Sequence, residues 1–153
     1  MLNVTRESIL SAVFTRLSGA TFARPVTGKT GFAISSRRLK LWSDVAKTDR
    51  PSMFMTCHHE VSSYKSENTP AVLQFQLRIF IYLDSSDTSI APDSDISVIL
   101  DAIDAALNPG PAEQRLTLAG VVSHCRIDGD VLRDPGDLDN DGLIIIPISI
   151  VTT

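Results

Sequence analysis

Residues 72–83 read VLQFQLRIFIYL, and the side-chain alternation in this stretch decides the fold class. Leu73, Phe75, Leu77, Ile79, Ile81 and Leu83 fall on one side, and Gln74, Gln76 and Arg78 on the other. That is the period-two pattern of a strand with one buried face. Phe80 and Tyr82 interrupt the polar side. Another element or another subunit must cover them there.

After this strand comes DSSDTSIAPDSD, a loop closed by Pro92 with Asp93 or Ser94 as the expected helix cap. Ile96, Ile99, Leu100, Ile103 and Leu107 then recur at helical spacing, which predicts a helix over 95–107. Asn108, Pro109, Gly110 and Pro111 stop it, and two further strands are expected at 117–128 and 142–151. The last strand places isoleucine at 144, 146, 148 and 150, with Pro147 between them. A proline cannot donate to a central ladder, so this strand is expected at an edge or with a bulge. An apolar edge strand is an aggregation hazard that assembly would cover.

Upstream, Thr5 is the expected cap of a helix over 5–18, with Glu7 in its first turn and Ile9, Ala12, Val13 and Leu17 as its stripe. Phe14 widens the stripe and Gly19 ends the helix. Residues 20–35 read as loop with a short strand at 30–34. SRRLKLW at 36–42 reads as a strand with Leu39 and Leu41 on one side and Arg38, Lys40 and Trp42 on the other. SMFMTCHH at 52–59 is a further strand, and 60–71 a long polar turn. The expected architecture is α+β, a mainly antiparallel β-sheet with two helices packed on one face. The 153 residues suit a single domain over 1–153.

Hydrophobic residues at 43% and charged residues at 21% exclude a disordered chain. No run of 18 apolar residues occurs, so no membrane partner is expected, and the start MLNVTRESIL does not read as a secretory signal. Cys57 and Cys125 are expected as buried free thiols, in keeping with a reducing compartment. The net charge of -4 is unevenly spread: residues 1–65 balance at +6 and residues 66–153 at -10. A chain polarised in this way can attract a copy of itself.

Candidate chemistry is sparse. Asp137-Leu138-Asp139-Asn140-Asp141-Gly142 matches the opening of a calcium loop, but Ile148 stands where the bidentate glutamate belongs. The expectation is a solvated acidic turn, with Asp-Gly favouring positive φ. His58 and His59 point to opposite faces of a strand, as do His124 and Cys125; a site pairing His58 or His59 with His124 would need neighbouring strands, a Cys57–His59–Cys125 cluster is conceivable, and no metal is expected. No G-x-S-x-G occurs, and Gly28-Lys29-Thr30 lacks the preceding glycine of a phosphate loop. No catalytic residue and no cofactor is expected. Arg37, Arg38 and Lys40 beside Trp42 could grip a nucleic-acid backbone. A sequence pI near 5.2 favours instead a basic patch that meets an acidic one on a neighbour, with no sequence-specific nucleic acid as partner. Arg37, Arg38, Lys40, Trp42, Phe80 and Tyr82 are therefore the candidate interface.

These segments, in this order, resemble the tail terminator (tail completion, or minor tail) proteins of long-tailed bacteriophages. The residues that carry the likeness are Arg37 to Val45, Arg50 to Phe54, Leu77 to Tyr82, and Leu100 to Leu107 followed by proline. Leu118 to Gly129 and Ile145 to Ile148 complete it. The resemblance implies an α/β fold and self-association into a ring of six on the head-proximal end of the tail tube. Such a ring stops tube polymerisation and provides the head-joining surface. Its partners would be the tail tube protein and the head–tail connector, and its place the virion tail, assembled in the host bacterial cytoplasm. It implies no catalytic residue or cofactor. Two alternatives stand beside it, another head–tail joining or tail-tube subunit and a small metal-dependent enzyme or sensor.

Overall fold

The sheet is organised around the strand at Val72–Asp84. The computed structural model describes residues 4–108, 118 and 120–152. Its strands are β1 (Ile34–Ser36), β2 (Ser52–Ser63), β3 (Val72–Asp84), β4 (His124–Ile127), β5 (Leu132–Asp134) and β6 (Asp141–Val151). They lie in the order β1-β2-β3-β6-β4, with β5 also paired to β6. Among the described residues only β1–β2 is parallel; the other strand pairs are antiparallel. Two helices, α1 (Arg6–Ser18) and α2 (Pro92–Leu107), pack on one face. The architecture is α+β, as the two stripes and the alternation in β3 predict.

The helix-side core is built from the residues those patterns single out. Ile9, Val13 and Leu17 of α1 and Ile96, Ile99, Ile103 and Leu107 of α2 meet Phe75, Leu77, Ile79, Ile81 and Leu83 of β3. Ile144, Ile146, Ile148 and Ile150 of β6 complete the layer. Each such side chain, fully buried, contributes about 1.5–3 kcal/mol. Thr5 caps α1 as expected: Ser8 N–H donates to Thr5 Oγ1 at 3.1 Å, and Thr5 N–H donates to Ser8 Oγ at 2.9 Å. Gly19 closes α1 with φ -90, so its stop needs no left-handed turn. At α2 the cap differs from expectation. Ala91 is the N-cap and Pro92 opens the helix, where its missing N–H is one that needs no partner.

Several expectations are corrected. The strand at 36–42 does not form: β1 ends at Ser36, and Trp42–Asp44 is a 3-10 turn. The short strand expected at 30–34 falls at 34–36 instead. β2 runs on to Ser63, so the first third of the expected polar turn is strand paired to β3. The strand expected at 117–128 narrows to His124–Ile127; Leu118 and 120–123 are turn or bend, and 117 and 119 lie outside the described residues.

The largest correction concerns β6, which is central and not at an edge. Pro147 is tolerated because it lies opposite a break in the neighbouring lane. β5 pairs with Leu143–Ile145 and β4 with Ile148–Val151. A residue in an antiparallel ladder points its N–H and C=O to the same side. The Pro147 carbonyl accepts from Asp128 N–H at 3.1 Å on the β4 side, so the missing donor faces the chain that loops between β4 and β5. Gly129, at φ +124, crosses the proline ring there. A Cβ at this position would lie 3.1 Å from Pro147 Cγ.

Candidate assembly surface

The far face of the sheet, opposite the helices, carries the residues singled out as an interface. It is partly covered by the chain itself. Residues 37–50, here called the strap, leave β1 and cross this face before re-entering the sheet at β2. Val45 of the strap is buried with Phe54 and Tyr82, and Phe80 and Leu143 pack against them. Phe80 and Tyr82 are therefore not an exposed aromatic pair: Tyr82 is 7% exposed and Phe80 half-buried. Of the two covers that the sequence allows, another element is the one present. The strap itself leaves apolar side chains in water, Leu39 at 42%, Leu41 at 68% and Trp42 at 55%, while Val61, Leu132 and Leu138 are exposed elsewhere.

Three anchors hold the strap. The Tyr82 hydroxyl donates to the Lys40 carbonyl at 2.5 Å; burial pushes the Tyr82 phenol above its ordinary value, partly offset by Arg50. Arg50, only 3% exposed, donates from Nη2 to the carbonyls of Trp42 at 2.8 Å and Val45 at 3.1 Å. Its Nη1 donates to Asp141 Oδ1 at 2.5 Å and to the Leu83 carbonyl at 3.3 Å. Lys29 Nζ donates to the carbonyls of Thr48 at 2.5 Å and Arg50 at 2.7 Å. The strap thus exposes its apolar residues from a fixed backbone, which spares a partner the entropy of ordering it.

The candidate residues separate into two groups. Arg37 turns away, forming an ion pair with Glu7 of α1, and that contact together with Ser11 holds the Glu7 carboxyl below its usual range. Arg38 and Lys40 are exposed and have no carboxylate partner among the described residues. Trp42 walls a cavity of about 170 Å3 with Arg50, Tyr82, Asp134, Asp139, Asp141, Gly142 and Leu143. Leu39, Leu41, Arg50 and Asp134 were not among the residues the sequence offered as an interface, and Asp139 was read only as part of the acidic turn. The strand reading assigned Leu39 and Leu41 a common side, and nothing in the sequence marks Arg50 as a buried anchor.

The acidic turn is a structured entry into β6. Asp139 Oδ1 accepts Asp141 N–H at 3.1 Å, and Asp134 Oδ1 accepts Gly136 N–H at 3.2 Å. The left-handed residues of the turn are Gly136, φ 72, and Asn140, φ 66, and not the expected Gly142. Gly142 is needed for space: a Cβ there would lie 2.9 Å from Leu83 Cβ. Asp141 is committed to Arg50, and among the described residues no group of three His, Cys, Asp or Glu side chains is placed to hold a metal ion.

The thiols and histidines are also separated. Cys125 is buried, and burial pushes its thiol up to about 12. Cys57 is exposed, contrary to expectation. A register shift between Cys57 and His59 makes His58 an extra residue, so Cys57 pairs with Leu77 and His59 with Gln76. The bulge puts Cys57 and His59 on opposite faces, where sequence alternation had put them together. β3 and β6 lie between β2 and β4, placing Cys57 and Cys125 about 14 Å apart by strand spacing alone.

A scan against protein-family models matches none, and a search of curated proteins finds no match.

Proposed function

We propose that the protein is a non-enzymatic structural subunit that assembles through the strap, and that it works as a tail terminator. In this reading a ring of six copies caps the head-proximal end of a phage tail tube, stops its growth and provides the surface for the head. The observation that carries assembly is the strap: three large apolar side chains held in water on a hydrogen-bonded backbone, flanked by unpaired Arg38 and Lys40. Buried aromatic anchors ringed by charge are the usual core of a protein interface. The tail role rests on the ordered resemblance along the chain.

Deleting the gene from the phage that carries it, followed by electron microscopy, tests this role. Unjoined heads beside tails of normal or excessive length are expected. Complete infectious virions without the protein would remove the tail reading, and joined particles with defective tips would assign another morphogenetic role.

A further inference from the structure

The strap crosses the strands in one direction, and its charge changes sign along the way. It leaves β1 at Ser36, which pairs with Phe54 of β2. The Lys40 carbonyl then sits on Tyr82 of β3. Trp42 reaches the cavity lined by Leu143 of β6, Asp134 of β5 and Asp139. The surface therefore runs from cationic (Arg38, Lys40) through apolar (Leu39, Leu41, Trp42) to anionic (Asp134, Asp139). None of these four charged side chains has an opposite charge as partner among the described residues. Asp134 and Asp139 accept only backbone N–H groups.

We propose that this surface docks a second copy of the chain across a two-fold axis through the Leu41–Trp42 cluster. A half-turn sets each copy's Arg38 and Lys40 against the other's Asp134 and Asp139, and stacks the apolar centres on one another. Such an isologous contact uses one patch twice. A partner of uniform charge would oppose one flank with a like charge, whereas a second copy satisfies both. The inference rests on reading the strap as an assembly surface and not on the tail role. A closed ring needs a heterologous contact, so the two-fold pair is a state of the free protein that must part before the strap can serve a ring.

Trp42 is the single tryptophan of the chain, so its emission reports on this surface alone. Sedimentation of the purified protein is expected to give a dimer of twice the 16.6 kDa chain. The Trp42 emission should shift to shorter wavelength with the same concentration dependence. The double variants Arg38→Glu/Lys40→Glu and Asp134→Lys/Asp139→Lys should each raise the dimer Kd by about tenfold or more, and their equimolar mixture should restore a one-to-one dimer. The Arg38 and Lys40 side chains make no hydrogen bond among the described residues, so that variant keeps the test intact if the acidic pair disturbs the turn at Asp139. Wild-type monomer up to about 200 µM would overturn the proposal. So would a dimer whose affinity ignores the reversals, or one whose Trp42 emission does not change. Ring-sized species without a dimer would overturn it too, while leaving assembly standing. Normal virions after gene deletion would bear on the tail role alone.

Discussion

Arg50 ties three parts of the fold together. Its guanidinium ties the strap to the end of β3 and to the first residue of β6, and its Nε is buried with no partner among the described residues. Replacing it strands Asp141 and three carbonyls. Arg50→Met should lower the urea midpoint more than Asp141→Asn, because the asparagine amide oxygen can still accept from Nη1 whereas methionine leaves all four acceptors without a donor. Equal losses would show that the carbonyl contacts contribute little. Cys125 gives a pH test. Its thiol is pushed from 9.0 to about 12 in the fold, so between those values the unfolded chain has lost a proton that the folded chain keeps. The unfolded state then binds fewer protons, and stability falls as pH rises through that window, at most by about 1.4 kcal/mol per pH unit. Denaturation at pH 8 and pH 10.5 should show the fall, and Cys125→Ala should reduce it.

Among the elements, those with a strong period were legible in the sequence, and those whose form depends on a neighbour were not. β3 and the two helices declare themselves because one face is buried along their whole length. Residues 36–42 alternate just as well, yet their leucines are exposed, because Tyr82 and Arg50 draw this backbone across the sheet. Alternation records a difference between two sides and not which side is covered. Pro147 misled for a related reason: the rule against central prolines assumes a continuous neighbour, and here the neighbouring lane is split between β4 and β5. Gly129 at that split is the testable counterpart. With φ +124 and a Cβ position 3.1 Å from Pro147 Cγ, Gly129→Ala is expected to cost about 1–3 kcal/mol. An unchanged thermal midpoint would mean the loop moves aside without cost.

At the scale of the whole molecule, the charge split seen in the sequence is spent partly inside the fold. Arg24–Asp95, Lys47–Asp84 and Arg50–Asp141 join the basic half to the acidic half. The strap and the acidic turn hold part of the charge that remains exposed. The sequence pointed to Arg38, Lys40 and Trp42, but it placed the acidic counterpart nowhere, since Asp134 and Asp139 join them only through β5 and β6. That same topology sets an order of events during synthesis. β2 and β3 are neighbours in the chain and can pair as soon as both are made. The other side of β3 must wait for β6, which is completed roughly 65 residues later, on the order of 3–13 s at ribosomal speed. Through that interval the row from Phe75 to Leu83 has lost water-free company on one flank, and the nascent chain is a substrate for chaperones that bind exposed apolar strands.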